Sequence, residues 1–287
     1  MATVDAAPDW VDELAFPADG PPWLSMGLGR ADEASWLVVD DERDEQLALR
    51  TQLLAERHAE VFAARPGTEA AGTEVLDLVA GWLARNAPQV VAAPTEGTVA
   101  VHPLEAAGRL VQEDLVVMVP RDGGYHLDAA CLCFPSHWRL ADKFEGSAAS
   151  IHGPVPGYAD DLEVRVDRYL DRLRPGSLSA RRNWSVHDGP DLFAPVPPPA
   201  RPIGREDVPT GLWLRSERQT LRRLPDTGAV LFTIRVQQAR FGVLAHRPEA
   251  AGRLAARIRA QPDDLTAMNG IDPNRAEVLA WLDDVSA

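Results

Sequence analysis

Two pairs of β-strands, each joined by a polar turn, constrain the fold of this 287-residue chain more than any other feature. In the first pair, an apolar run over residues 115–119 and a second run over residues 125–134 flank a Pro-Arg-Asp-Gly-Gly turn. This pattern is typical of a β-hairpin. The second pair, residues 212–221 and 229–238, flanks Pro225-Asp226-Thr227-Gly228. The chain is therefore expected to contain an antiparallel sheet.

Segments with apolar residues at helical spacing lie before, between and after these strands. We predict helices over residues 44–64, 73–85, 138–149, 161–173, 248–260 and 273–284, a further strand over 177–187 and a proline-rich loop over 192–209. Ser136 is the predicted N-cap of the helix over 138–149. The prolines and glycines of residues 151–157 argue against a helix or a central strand there. The fold class is α+β.

Acidic side chains concentrate at the start of the chain. The whole sequence has 43 acidic and 29 basic residues, a net charge of −14, and residues 1–60 contain 14 Asp or Glu and four Arg. We predict an acidic, irregular N-terminal arm over residues 1–43 and a single domain over residues 44–287. Two interpretations of the arm stay open, a solvated segment and a docking surface for a basic partner protein.

Composition excludes several classes of function. A sequence pI near 4.9 argues against a nucleic-acid partner and against an anionic membrane surface. The sequence contains no apolar run of 18 residues and no apolar signal segment, so we expect a cytoplasmic protein. Cys131 and Cys133 are expected to be buried and reduced. Glycine-rich phosphate loops and the common hydrolase and protease motifs are absent from the sequence.

One histidine stands out by its position. His152 lies between Ile151 and a Gly-Pro-Val-Pro-Gly segment that restricts the backbone. A histidine that ligates a cofactor must be neutral, oriented and held on a stiff segment. The alternative is a loop histidine that interacts with the C-terminus of the preceding helix. His137, at the predicted start of the same helix, is the second candidate ligand.

Five blocks of sequence resemble the haem-binding subunit of haem-dependent oxidative N-demethylases. They occur in the order of that family and cover about residues 45–240. The blocks are Val111-Gln112-Glu113-Asp114-Leu115, Cys133-Phe134-Pro135-Ser136-His137-Trp138, Ile151-His152-Gly153-Pro154-Val155-Pro156-Gly157-Tyr158, Arg181-Arg182-Asn183-Trp184, and Arg215-Ser216-Glu217-Arg218-Gln219-Thr220-Leu221-Arg222-Arg223-Leu224-Pro225, which continues through residues 227–235.

This resemblance implies a PAS-like fold enlarged by N- and C-terminal helices, with haem b between the sheet and the helix that precedes His152. His152 is then the axial iron ligand. The family oxidises a small secondary amine with O₂ and releases formaldehyde and the demethylated amine. Its electrons come from a separate reductase that contains flavin and an iron–sulfur centre. The chemistry belongs to the cofactor, which the protein positions and tunes.

Arginines of the later strands are the candidates for holding the haem propionates, since a guanidinium matches a carboxylate in shape and charge. Arg181, Arg222 and Arg223 are the strongest of them. The alternative is that these arginines form a solvated strand face together with Glu217.

An amine substrate is largely protonated at pH 7, so its oxidation needs a group that holds the cation and accepts its proton. Glu217 is the candidate for this role, and Trp184 is the candidate aromatic wall for the cation. The alternative is structural, with Glu217 ion-paired to Arg215, Arg218 or Arg235. Residues 143–149 lack the K-L-G-x-x-L spacing expected of the family, so the substrate is not assigned.

Two other functions stay open at this point. A diverged haem enzyme of the same fold would oxidise the nitrogen of a biosynthetic intermediate. A non-enzymatic haem-binding, PAS-like sensor would need an attached signalling domain, and the sequence outside the acidic arm has no room for one.

Overall fold

A computed structural model describes residues 7–14, 27–90, 101–152 and 162–287. Within them, seven strands form one antiparallel sheet in the order β1-β5-β6-β7-β3-β4-β2. The strands are β1 (Gly29–Arg30), β2 (Phe62–Ala64), β3 (Asp114–Arg121), β4 (Gly124–Cys131), β5 (Leu178–His187), β6 (Trp213–Arg223) and β7 (Val230–Arg240).

Helices cover both faces of the sheet. They are α1 (Arg43–Glu56), α2 (His58–Val61), α3 (Glu69–Asn86), α4 (Pro103–Gly108), α5 (Leu140–Lys143), α6 (Ala148–His152), α7 (Leu162–Arg172), α8 (Val208–Gly211), α9 (Pro248–Ala260), α10 (Asp263–Met268) and α11 (Arg275–Ser286). Core residues of α1 and α5–α7 pack on one face. Those of α3 and α4, and further along those of α9 and α11, pack on the other. No described helix is long and apolar enough to cross a bilayer.

The predicted α+β class and both predicted hairpins are confirmed. The turns fall between β3 and β4 and between β6 and β7, where the sequence placed them. The strand over residues 177–187 and the helix over 248–260 are also confirmed, as β5 and α9. Both cysteines are buried and neither forms a disulfide. These elements could be predicted from the sequence because they depend on the local spacing of apolar residues and on turn residues.

Three predictions about local structure are wrong. The helix over residues 44–64 ends early, because Phe62–Ala64 pairs with β4 as an edge strand. The helix over 138–149 is two short helices, since Glu145 and Gly146 form backbone hydrogen bonds with Leu127 of β4. Ser136 is not an N-cap, and its hydroxyl lies 3.0 Å from His187 Nε2.

The residues after α5 also differ from the prediction. Ile151 and His152 form the last turn of α6, although residues 151–157 were expected to be irregular. The rest of that segment, residues 153–157, lies outside the described residues. The boundary between an arm of residues 1–43 and a domain of residues 44–287 stays a prediction.

The pairing of β5 with β6 separates neighbouring arginines onto opposite faces of the sheet. Arg181 lies opposite Gln219, and Arg182 lies opposite Arg218. Side chains alternate between the two faces along a strand. One face, here called the site face, therefore carries Arg181, Glu217, Gln219, Leu221 and Phe232. The other, here called the arginine face, carries Arg182, Arg218, Arg222 and Arg235.

Acidic residues of the N-terminal segment neutralise the arginine face. Arg235, which is fully buried, donates to Asp40 at 2.6 Å. Arg222 donates to Glu33 at 3.0 Å, and Arg182 donates to Glu13 at 2.6 Å. A buried guanidinium needs such partners, because an uncompensated charge away from water is costly. The sequence left open whether the acidic arm is a solvated segment or a docking surface for a partner protein. Part of this arm binds arginines of its own chain.

A second buried ion pair joins α1 to the hairpin of β3 and β4. Arg50 donates to Asp114 at 3.0 Å, and both side chains are fully buried. Asp114 also accepts hydrogen bonds from the backbone N–H groups of Cys133 and Phe134, at 2.8 and 2.9 Å. Asp114 therefore fixes the chain just after β4, where it turns toward α5 and the candidate site.

We predict that D114N strongly destabilises the fold. The substitution leaves the buried charge of Arg50 uncompensated, so the free energy of unfolding should fall by about 3–5 kcal/mol in urea denaturation. The control is D44N, since the Asp44 side chain is fully exposed and lies 3.6 Å from Arg43; it should change stability by less than about 0.5 kcal/mol. Equal stability of the two variants would contradict this role for Asp114.

Candidate functional site

A line of three hydrogen-bonded side chains crosses the site face. Arg181 Nε donates to Gln219 Oε1 at 2.6 Å, and Gln219 Nε2 donates to Glu217 Oε2 at 2.9 Å. The three residues meet because Arg181 and Gln219 are cross-strand partners and Glu217 lies two positions before Gln219. The structure thus brings together two residues that the sequence singled out, through a third that it did not.

Glu217 makes no ion pair with any described residue, so the structural alternative for it is not realised. Arg215 donates instead to backbone carbonyls, among them Phe134 O at 2.7 Å. Arg218 donates to Trp36 O at 2.9 Å, and Arg235 is held by Asp40. Glu217 is only partly buried. Its carboxylate is therefore available to a cationic ligand on this face.

Two apolar residues of the site face, which follow Gln219 along the strands, form a partly exposed floor. Leu221 and Phe232 are cross-strand partners on two central strands, yet both are only partly buried. On the other face of the same strands, Thr220, Leu231 and Thr233 are at most 1% exposed. Central strands are normally covered on both faces of a two-sided sheet. The next cross-strand pair along β5 and β6 is Arg181 and Gln219. An apolar floor near a guanidinium suits a largely apolar ligand with acidic groups.

Lys143, the one lysine of the sequence, fixes the end of α6. Its Nζ donates to Ile151 O at 3.0 Å and lies 4.8 Å from the centre of the Trp138 ring. Burial lowers the pKa of Lys143, and the negative charge of Glu217 opposes that shift. The backbone of His152 follows directly as the last residue of α6, but its side chain lies outside the described residues.

A pair of stacked histidines lies at the end of the site face. The rings of His137 and His187 have centroids 4.3 Å apart and an interplanar angle of 22°. His187 Nε2 is within 3.1 Å of both the Ser136 and Ser185 hydroxyls. Burial, followed by the positive charges of Arg215 and His137, lowers the pKa of His187 to about 3. Both rings are therefore neutral at pH 7, since burial and Arg215 also lower the pKa of His137.

His137 does not begin a helix, although the sequence predicted that it would. It has a left-handed backbone with φ of 58°, and its N–H donates to Ala194 O at 2.7 Å. Its Nε2 is buried without a hydrogen-bond partner among the described residues. A left-handed non-glycine residue is strained and persists only where its surroundings hold it. Arg215 contributes to this support, because it donates to Pro135 O and to Leu192 O, one on each of the two segments that the His137–Ala194 hydrogen bond joins.

Two other predicted site residues lie on the arginine face and are not part of this group. Arg222 lies on the arginine face, bound to Glu33 and 4.2 Å from the Trp36 ring centre. Trp184 lies on the same face and packs against the core of the C-terminal helices. It is separated from Glu217 by the sheet, so the two do not flank one substrate. Alternation along the strand causes this separation.

Arg223 lies on the site face but is occupied by α7. Its Nε donates to Leu173 O at 2.7 Å, its NH1 donates to Gly228 O, and its NH2 donates to Tyr125 Oη at 2.8 Å. A guanidinium on the last carbonyls of a helix caps its C-terminus. Arg223 therefore has a structural role here, which a haem propionate would have to displace.

A family model matches most of the chain. It is described as haem-dependent oxidative N-demethylase, alpha subunit-like, and it covers residues 27–279. The chain belongs to this family. The match confirms the resemblance inferred from the five sequence blocks and extends it at both ends, into the N-terminal acidic segment and into the first residues of α11.

The residues of the site face fit the haem that the family name implies. Haem is a flat apolar group with two carboxylates, and the floor of Leu221 and Phe232 beside Arg181 offers both kinds of contact. Two histidines remain candidates for binding the iron: His137, whose Nε2 is buried without a partner among the described residues, and His152, the last residue of α6.

Sequence reasoning missed Gln219, Arg215 and His187 as members of the site. The signal for the first two was present, since alternate residues from Arg215 to Leu221 share one face of a strand. His187 has no such signal in the sequence. Its partners Ser136 and His137 lie about fifty residues earlier in the chain, so no local pattern connects them.

We predict that His187 makes stability depend on pH. Between pH 6.5 and about 3 the unfolded chain binds a proton at this residue and the folded protein does not. The free energy of unfolding should therefore fall as the pH falls through that window. Urea denaturation from pH 7 to 4 should show a shallower slope for H187Q than for the wild type. H246Q, at an exposed histidine, should keep the wild-type slope; equal slopes for all three proteins would contradict the prediction.

Proposed function

We propose that this protein is a haem b-dependent oxidase that removes a methyl group from a small secondary amine. Haem would lie between the site face and helices α5–α7, and His152 would bind its iron. The observation that carries the proposal is Glu217, a carboxylate without an ion pair among the described residues, on the same sheet face as a partly exposed apolar floor. Family membership supports the cofactor and the class of reaction.

The order of the five long strands supports a PAS-like fold. In chain order they are β3, β4, β5, β6 and β7, and across the sheet they run β4-β3-β7-β6-β5. This is the strand order of PAS domains, and α5–α7 occupy the long connection between the second and third of these strands. The same connection carries His152, so the fold and the proposed ligand support each other.

Each of the chain's residues has a defined task in this proposal. Arg181 pairs with a haem propionate, since a guanidinium binds a carboxylate through two parallel hydrogen bonds. Lys143 holds the carbonyl of Ile151 and so fixes the residue next to the ligand. Glu217 binds the substrate ammonium and then accepts its proton, which exposes the nitrogen lone pair. The floor of Leu221 and Phe232 would contact the apolar part of the haem.

When bound, the haem supplies the oxidation, in which O₂, two electrons and two protons convert the N-methyl amine to the demethylated amine, formaldehyde and water. The electrons come from an external reductase with flavin and iron–sulfur centres. The words alpha subunit in the family description are consistent with a partner protein. The protein acts in the cytoplasm, without a nucleic-acid or membrane partner.

We predict that H152A abolishes normal haem ligation. The purified variant should show a displaced Soret band and an altered CO adduct after reduction with dithionite, because the iron has lost its axial imidazole. H126Q, at a histidine of β4 whose Nδ1 lies 3.2 Å from Glu145 O, is the control and should keep the wild-type spectrum. An unchanged spectrum of H152A would transfer the ligand role to His137.

We also predict that E217Q separates chemistry from cofactor binding. The amide keeps the size of the side chain but cannot accept the substrate's proton, so amine turnover should fall by about 10²–10⁴-fold while haem content stays normal. The pH–rate profile should lose its acidic limb, since that limb reports protonation of the carboxylate. E249Q, at a side chain that is 95% exposed, is the matched control. Normal turnover by E217Q, or loss of haem, would make Glu217 structural.

A further inference from the structure

We propose that Gln219 is a positioning residue that orients Glu217 and thereby selects substrates with an N–H group. This inference rests on the proposed function, in which Glu217 binds the substrate ammonium. Gln219 is only 5% exposed, and both ends of its side-chain amide are hydrogen-bonded. Its side chain is nearly inaccessible to solvent, so we expect its effect on a substrate to pass through Glu217.

The orientation of the Gln219 amide is forced by its two neighbours. A guanidinium can only donate hydrogen bonds, and an ionised carboxylate can only accept them. The amide oxygen must therefore face Arg181, and the amide NH₂ must face Glu217. Among side chains of this length, a neutral amide satisfies both neighbours at once. Glutamate at this position would repel Glu217, and methionine would leave both neighbours without their hydrogen bonds.

The bond from Gln219 leaves Glu217 with one committed and one available oxygen. Oε2 accepts from Gln219, and Oε1 has no hydrogen-bond partner among the described residues. The carboxylate is thus held in one plane, with Oε1 as the acceptor that a ligand meets. A carboxylate held in a fixed plane binds most tightly a donor whose N–H bond points at the available oxygen. A freely rotating carboxylate binds cations mainly through their charge.

Three cations surround Glu217 without forming an ion pair with it. Arg181 acts from β5 through Gln219, Arg215 lies two residues earlier on β6, and Lys143 faces it from α5. Their positive charges complement the negative charge of the carboxylate. They also disfavour a second positive charge on the ligand. The site therefore fits a monocation with an N–H bond, such as a secondary or tertiary methylammonium ion.

A quaternary ammonium ion provides the discriminating comparison. Dimethylammonium and tetramethylammonium have the same charge, but only the first can donate an N–H hydrogen bond. The wild-type holoenzyme should bind dimethylammonium more tightly, and Q219M should bind it about tenfold more weakly than the wild type does. Binding of tetramethylammonium should be unchanged in Q219M. Dissociation constants follow from the optical difference spectrum of the bound haem.

A second measurement does not depend on haem. In protein labelled with ¹³C-glutamate, the carboxyl signal that disappears in E217Q belongs to Glu217. Its titration midpoint should move to higher pH in Q219M, because a hydrogen bond to the ionised form has been lost. Q52M, at an exposed glutamine of α1, is the matched control and should leave both readouts unchanged. Q219N, whose side chain is too short to reach both neighbours, replaces Q219M if that variant does not fold.

The outcomes separate the two proposals. If E217Q binds dimethylammonium like the wild type, the proposed function fails, and the NMR titration still decides whether Gln219 positions Glu217. If Q219M leaves the Glu217 titration and the preference for dimethylammonium unchanged, the positioning role is overturned. If Q219M binds both ammonium ions more weakly by the same factor, the positioning role is also overturned, since that result means general damage to the site.

Discussion

The register between β5 and β6 decides the role of nearly every charged residue in the centre of this protein. Arg181 and Arg182 are neighbours in sequence, but one meets Gln219 on the site face and the other meets Arg218 on the arginine face. A slip of one residue would exchange the two sets. Glu217 would then face the N-terminal acids, and the candidate site would lose its carboxylate.

The arginine face explains the uneven charge of the sequence. Three of its guanidinium groups are at most 8% exposed, and each pairs with an acid of the N-terminal segment. Burying arginines in this way is costly unless every charge finds a partner. Four described acids of this segment, Glu13, Glu33, Asp40 and Glu42, are therefore structural counterparts of the sheet. On the site face, Glu217 forms no ion pair with a described residue, which points to a ligand.

The site depends on supports outside it. Asp114 fixes the chain after β4 through the N–H groups of Cys133 and Phe134, and Arg215 holds the carbonyls of Phe134 and Pro135 a few atoms further on. The two buried charges thus fix consecutive stretches of one connection from opposite sides. That connection leads to His137, Lys143 and His152. A functional site keeps its geometry when such supporting contacts lock its residues in place.

The sequence by itself determined the α+β class, both hairpins, most of the helices and the family, because these depend on spacing, turn residues and contiguous motifs. It also identified Glu217, Arg181, His137 and His152 as candidates. Only the tertiary structure decided that Arg222 and Trp184 lie on the far side of the sheet, that Arg223 caps α7, and that Gln219 joins Arg181 to Glu217. A buried arginine takes whichever acceptor packing brings to it. Asp40 and Arg235, for example, are 195 residues apart in the chain, and no local pattern encodes such a contact.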